Sequence, residues 1–322
     1  MERQIIGCID IGRTKILVGI ADTNASMIDI IRIPTTLALG PIKVLEDISR
    51  RLEKMVRATN SSLAAIGVGC PGPLDLGRGV VLSPPDFLGW TEVPLVKFFN
   101  HYFKTLVILD NDANAAAMGE YRFGVARGLT TIAYVTVSTG IGGGLIVNGQ
   151  LTHGPAGSAC EIGHMTVLHD GPICACGARG CLNAISSGSA IAATAREQVL
   201  SGKNSLLNLL VKDASEISAK TVAEAVRQGD HLVQEIWNNA IYYLAVGIGN
   251  LVVTLSPDAV VLGGGVTASS DLIFQPLSEL LTQRIKIISI EDIRILPAKL
   301  GATSGIYGVL AMVLEKLGLA KK

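Results

Sequence analysis

The sequence predicts an α/β protein built from two related domains. Short apolar runs alternate with stretches of helical period, the rhythm that produces mostly parallel sheets covered by helices. A strand, a glycine-bearing turn and a second strand occur near the start, as I-D-I-G-R-T-K-I-L-V-G-I from Ile9. The same plan returns as T-V-S-T-G-I-G-G-G-L-I-V from Thr136. At 322 residues the chain is long enough to fill two cores. Two α/β domains facing each other across a cleft are therefore expected, with no low-complexity linker between them.

Taken in order, Ile5 to Ile20 reads as two strands joined by a tight turn, and Met27 to Ile33 as a third. Val44 to Arg57 carries Val44, Leu45, Ile48, Leu52, Met55 and Val56 at helical spacing. Ala64 to Cys70 is a short buried strand ended by P-G-P-L-D. Leu106 to Leu109 is another, and N-D-A-N-A-A-A-M-G-E opens a helix after it. The pattern restarts with a strand at Thr131 to Val137, a glycine turn through S-T-G-I-G-G-G, and a return strand at Leu145 to Val147. Helical patterns follow at Ser187 to Val199, Thr221 to Gln228 and His231 to Leu255. Ala259 to Leu262 and Ile293 to Pro297 are late strands, and Thr303 to Leu317 a closing helix.

Composition excludes several classes. Hydrophobic residues make up 49% of the chain, too many for a disordered one. Lys+Arg and Asp+Glu both number 27, so the basic excess of a nucleic-acid binder is missing. The start lacks the apolar run and small-residue cleavage site of a signal peptide, and a cytoplasmic protein is expected. Asn239 to Pro257 holds no charged residue. Asn250, two glycines and the closing Ser256-Pro257 make it a buried core helix and not a membrane span.

Four short stretches can bind phosphates or move a proton. In Asp10 to Lys15, Gly12 permits close backbone approach to an anion, Arg13, Thr14 and Lys15 add a hydroxyl and charge, and Asp10 can hold Mg²⁺ through water. An ordinary hairpin turn has the same look. In Val137 to Gly144, Ser138, Thr139, Gly140, Gly142 and Gly143 offer a second phosphate cradle, richer in glycine than a turn needs. No Walker loop is present. Gly264 and Gly265, after a strand, could let a flat nucleoside lie on backbone, although a strand-to-helix turn uses glycine too. In L-D-N-D-A-N, Asp112 can accept the proton of an attacking hydroxyl and Asn111 can hydrogen-bond one. Helix capping competes for both residues; the paired loops favour catalysis.

The stretch from Gly157 to Cys181 places three cysteines, Cys174, Cys176 and Cys181, in one short loop. Clustered cysteines in a chain without a secretory signal read as a metal site. With His164 the spacing is H-x9-C-x-C-x4-C, a closed tetrahedral set suited to structural Zn²⁺. His169 lies closer to the cysteines and competes for the same role.

D-I-G-R-T-K, G-C-P-G-P-L-D, L-D-N-D-A-N-A-A-A-M-G-E, S-T-G-I-G-G-G, C-E-I-G-H-M and C-A-C-G-A-R-G-C-L together resemble the ROK family (repressor, open reading frame, kinase), in the family's order and along essentially the whole chain. The resemblance implies an actin-like, ribonuclease H-like fold of hexokinase type with two α/β domains. Residues 1–117 and 304–322 would form the N-terminal domain, and 118–303 the C-terminal one with the zinc loop. It implies ATP-dependent phosphorylation of the primary hydroxyl of a hexose, glucose first, with ATP, Mg²⁺ and structural Zn²⁺. Kinases for N-acetylmannosamine, N-acetylglucosamine, fructose or a cyclitol, or a silent sugar sensor, are the alternatives. By position, Asp112 resembles the catalytic base, while Gly72, Asn111, Glu161 and His164 resemble sugar contacts, His164 also ligating zinc. A homodimer is expected from the same resemblance. The family's repressors carry a helix-turn-helix domain before D-I-G; with that motif at Asp10, no such domain is expected here.

The chain departs from the family pattern at four places. Arg13 stands where a glycine is usual, and Cys160 replaces the glycine before Glu161. Asp86 stands where an asparagine commonly contacts sugar. Asn183 stands where a glutamate usually binds sugar hydroxyls, so an uncharged amide is expected there as a substrate contact.

Overall fold

A computed structural model describes residues 3–85, 87–154, 157–289 and 292–320. It divides into two compact units. The first comprises Met1–Thr130, Gly144–Ala159 and Lys299–Lys322, the second Thr131–Gly143 and Cys160–Ala298.

The first unit opens with β1 (Gln4–Ile11), β2 (Lys15–Asp22), β3 (Met27–Pro34) and α1 (Pro41–Ala58). Then come β4 (Ser62–Cys70), the short β5 (Leu74–Asp75) and β6 (Val80–Val81), α2 (Leu95–Phe103), β7 (Leu106–Asn111) and α3 (Asp112–Arg122). The main sheet has the order β3-β2-β1-β4-β7. Its first two pairings are antiparallel, and β1, β4 and β7 run parallel. Strands buried on both faces read as unbroken apolar runs, as I-I-G-C-I does in β1. On α1, Val44, Leu45, Ile48, Leu52 and Met55 form one buried stripe, and Pro41 opens the helix at a position where its missing N–H costs nothing.

The second unit and its neighbouring segments follow in chain order as β8 (Ile132–Val137), β9 (Ile141–Val147), β10 (Gln150–Thr152), α4 (Asn183–Ser186), α5 (Gly188–Leu200) and α6 (Leu207–Leu210). These lead to α7 (Ala219–Arg227), α8 (His231–Leu255), β11 (Ala259–Gly263), α9 (Phe274–Arg284), β12 (Arg294–Pro297) and α10 (Ser304–Lys316). The second sheet has the order β10-β9-β8-β11-β12. That is the plan of the first sheet again: the opening strand sits centrally, its hairpin partner on one side and a parallel strand on the other. The internal repeat read from the two glycine-bearing turns is thus a repeat of sheet topology.

The glycine turn is shorter than the sequence predicts. It occupies only Ser138 to Gly140, and Gly142, Gly143 and Gly144 lie within β9. Gly143 and Gly144 are there for close packing. A methyl group on Gly144 would lie 2.7 Å from Ala117 Cβ and 2.8 Å from Ala113 O. The units also divide the chain differently from a break at 117/118 and 303/304. α3 continues to Arg122, and the buried Glu120 carboxylate accepts hydrogen bonds from the N–H groups of Val125, Lys299 and Leu300 and from Ser304 Oγ. A carboxylate fully buried and fully partnered ties that stretch into the first unit. There α10 packs on α3, β1 and β4.

α8 is long and apolar enough to cross a membrane by length and composition alone. Trp237, Leu244, Ile248 and Val252 are buried within the second unit, and the helix packs on α7 and α9. It is the core helix that the sequence predicts. The short β5, β6 and β10, and the helices α2, α4, α6 and α9, were not legible in the apolar pattern.

Candidate active site

In the first unit, the carboxyl ends of the parallel strands gather the expected residues. Asp10 is the penultimate residue of β1, Gly72 follows β4, and Asn111 and Asp112 stand where β7 becomes α3. Ligands in open α/β sheets bind at this edge. Asn111 is the helix cap: its Oδ1 accepts the Ala113 N–H at 2.8 Å and the Asn114 N–H at 3.4 Å. The Nδ2 end of the same amide turns toward Gly72, where an added Cβ would lie 3.4 Å away. Capping thus uses the Oδ1 end of the side chain and leaves the Nδ2 end on the Gly72 side. Asp112 is only partly buried, and its Oδ1 accepts the Ala113 N–H at 2.9 Å.

Burial, and then the neighbouring Asp112 carboxylate, push Asp10 up to about 7, with Lys15 pulling the other way. Two carboxylates sharing one edge make a setting that favours a bound cation. The loop between β1 and β2 is held by backbone. Gly12 N–H donates to Lys15 O at 2.9 Å, and Thr35 Oγ1 donates to Gly12 O at 2.7 Å. Arg13 and Thr14 are exposed on it.

Sequence reasoning missed what lies beneath Asp112. Asp110 is buried, its Oδ1 accepting the Asn111 N–H at 2.7 Å and Asn114 Nδ2 at 2.9 Å. Its Oδ2 lies 2.6 Å from His153 Nε2. No local spacing signals a partner so far along the chain.

In the second unit, Ser138 N–H donates to Gly140 O at 2.8 Å, closing the turn between β8 and β9. Ser138 O and Thr139 O accept from the N–H groups of Gly188 and Ser189, at 2.8 and 3.2 Å. Asn183 Oδ1 accepts the Ile141 N–H at 2.8 Å. Gly264 adopts φ +96°, and an added Cβ there would run into Val137 O, so glycine is required. Gly265 follows, 3.7 Å from Ser138 Oγ by the same measure. The phosphate and nucleoside candidates, Ser138 to Gly143 and Gly264 to Gly265, therefore adjoin.

Glu161 and His164 bracket one turn of 3₁₀ helix at Ile162–His164, with the His164 N–H donating to Glu161 O at 2.9 Å. Residues three apart in such a turn share a side. Both are exposed. Cys160, before them, takes φ +65°, the left-handed region in which a glycine carries no strain. Asp86 lies outside the described residues.

The ligand atoms of His164, Cys174, Cys176 and Cys181 all lie within 4.8 Å of one another. A tetrahedral ion with metal–sulfur bonds of about 2.3 Å sets neighbouring sulfurs about 3.8 Å apart. Cys176 Sγ and Cys181 Sγ are 3.7 Å apart, and Cys174 Sγ is 3.7 Å from His164 Nδ1. These separations fit a soft divalent ion and exceed the bonding distance of a disulfide, about 2.05 Å. The Ala178 N–H pulls the Cys176 thiol down to about 7, whereas burial pushes Cys181 up to about 12. A bound dication would deprotonate both. His169 is outside this group and pairs with Asp170 at 3.0 Å. With Nδ1 on the cysteine side, the ring leaves Nε2 for another partner.

Known proteins resemble this chain in sequence and in fold. A glucokinase of Thermotoga maritima is 32% identical over 98% of this chain and 98% of its own. The crystal structure of a ROK family glucokinase from Streptomyces griseus in complex with glucose and AMPPNP matches with a TM-score of 0.83 and 28% identity, covering 97% of this chain and 99% of that one. A putative xylose repressor of a Caldicellulosiruptor species is 31% identical over 85% of this chain but only 69% of its own. The ROK family model itself matches residues 6–316, which takes in both sheets, both glycine-bearing turns and the cysteine cluster. The chain belongs to the ROK family.

Proposed function

We propose that this protein is an ATP-dependent kinase that phosphorylates the primary hydroxyl of a hexose, with glucose as its first substrate. The observation that carries this reading is the carboxyl edge of the first sheet. It holds Asp112 as a carboxylate close enough to Asp10 to shift it, beside Asn111, Gly72 and the Asp10–Lys15 loop. Full-length likeness to glucokinases supports the choice of sugar.

Asp112 takes the proton of the sugar hydroxyl as its oxygen attacks the γ-phosphorus of ATP, and ADP departs. Asn111 Nδ2 and the Gly72 backbone align the hydroxyl, and Glu161 with His164 Nε2 binds the rest of the sugar. The Asp10–Lys15 and Ser138–Gly143 loops hold the phosphates through backbone N–H groups, and Gly264 and Gly265 take the adenosine. Asp10 would hold the Mg²⁺ that arrives with ATP through water, and the ion would supply positive charge at the β- and γ-phosphates. His164, Cys174, Cys176 and Cys181 would hold a structural Zn²⁺, which would fix the loop carrying Glu161. The reaction uses cytosolic ATP and sugar. A second copy of the chain is the expected partner, which sedimentation would measure.

A panel of sugars with ATP, compared by kcat/KM, tests the assignment. Glucose should lead. A preference for an N-acetylated amino sugar or fructose would move the substrate, and sugar binding without ADP release would make the protein a sensor. Asp112→Asn should lower kcat by about 10²–10⁴-fold with sugar affinity preserved. Near-normal turnover in that variant would sink the assignment of the base.

A further inference from the structure

We propose that Asn183 is a positioning residue for the nucleotide and not a sugar contact. Its side-chain carbonyl sets the backbone of the turn that takes the phosphates. The inference rests on the kinase reading and goes beyond it.

By its place two residues after Cys181, Asn183 is expected to face sugar hydroxyls. In the structure its Oδ1 is committed to the Ile141 N–H, 2.8 Å away, where the Ser138–Gly140 turn enters β9. Gly140 lies against the same oxygen, at 3.1 Å from an added Cβ. The contact is part of a bracket. From Asn183 to Ser189, one short segment makes three hydrogen bonds to the turn: Asn183 Oδ1 to Ile141 N–H, Gly188 N–H to Ser138 O and Ser189 N–H to Thr139 O. The two backbone donors engage the turn's carbonyl oxygens, which lowers their repulsion of an anion. The one side-chain acceptor engages the amide that follows. Asn183 is thus the only member of the bracket that a substitution can remove without altering the main chain. All of these groups belong to the second unit.

A short side chain that ends in an acceptor reaches this position. Its oxygen accepts one bond, while a side chain longer by a methylene would carry its acceptor past Ile141. The departure from the family's usual glutamate then has a physical reason: the residue has changed partner, from ligand to backbone.

The test is equilibrium binding by calorimetry of glucose and of a non-hydrolysable ATP analogue with Mg²⁺, on wild type, Asn183→Ala and Asn183→Asp. Asn183→Ala should weaken the nucleotide by about tenfold, the worth of one hydrogen bond, and leave glucose within about twofold. Asn183→Asp keeps the acceptor and should hold the nucleotide close to wild type. A fall in glucose affinity with the nucleotide unchanged overturns the proposal. If the alanine variant binds neither ligand, the aspartate variant decides: nucleotide affinity near wild type supports the bracket, and a tenfold loss overturns it. A wild-type protein that binds nucleotide without glucose would count against glucose as substrate alone, since the nucleotide series would still decide Asn183.

Discussion

His153 reaches back 43 residues to Asp110, its Nε2 lying 2.6 Å from the buried Oδ2. The same carboxylate fixes the Asn111 N–H and the Asn114 side chain, so the contact braces the turn that carries Asn111 and Asp112. The hydrogen bond to Asp110 raises His153, burial opposes, and the Asp110 charge adds to the rise. A raised histidine contributes stability that is full below about 6.5 and lost as pH rises through its folded value. His153→Ala should therefore flatten the pH dependence of Tm across that window. With much of the ring in solvent, the lost contribution is under about 1 kcal/mol. Turnover should fall several-fold, and an unchanged kcat with unchanged pH dependence would refute the brace.

Asp10 behaves in the opposite sense to an ordinary salt-bridged carboxylate. Its folded value, near 7, lies above the usual 3.8, so its contribution to stability is full below about 3.8 and lost as pH rises through 7. At pH 8 the unliganded wild type carries an ionised carboxylate that folding disfavours. Asp10→Asn should be more stable there, by on the order of a few kcal/mol, and the gap should close toward pH 4. Kinase activity should be lost in the same variant. Chemical denaturation at the two pH values measures the first effect, and a coupled ADP assay the second.

The cysteine cluster predicts about one zinc per chain by atomic emission, a count that follows from its four ligands. Cys176→Ser should lower metal content and Tm together. It should raise the KM for sugar more than the KM for ATP, because Glu161 and His164 stand on the loop that a bound ion would fix. A metal-free protein with wild-type Tm and sugar KM would refute the structural role.

Cys160 and Cys176 should differ in reactivity. Burial and the adjacent Glu161 charge push the Cys160 thiol up to about 12, which leaves little thiolate at pH 8. Cys176 is exposed and its thiol is lowered. After chelation, iodoacetamide should label Cys176 quickly and Cys160 slowly, as peptide mass mapping would read. Equal rates would contradict the environments described.

Features set by neighbours in sequence were legible in the chain alone. The cysteines sit within one loop, so their spacing reports their geometry. β1, β4 and α1 are long enough for their apolar pattern to decide them. The chain could not reveal contacts between distant residues. Asp110 meets His153, and Asn183 meets Ile141, across separations that leave no periodic trace. Gly143 and Gly144 misled for a related reason. Glycine reads as a turn, yet here it thins a strand so that β9 can lie against α3 and the Cys160 segment. α2, with L-V-K-F-F-N-H-Y-F, is too short and too aromatic for its helical period to stand out.

The Glu120 clasp on Lys299, Leu300 and Ser304 bears on how the protein is made. A ribosome delivers β1 through α3 early, but α10, which covers β1 and β4, arrives only after the whole second unit has been synthesised. The first unit must wait with the α10 face of its apolar sheet uncovered while residues 160–298 emerge and fold. Newborn chains stalled before residue 299 would therefore be the form most in need of a chaperone.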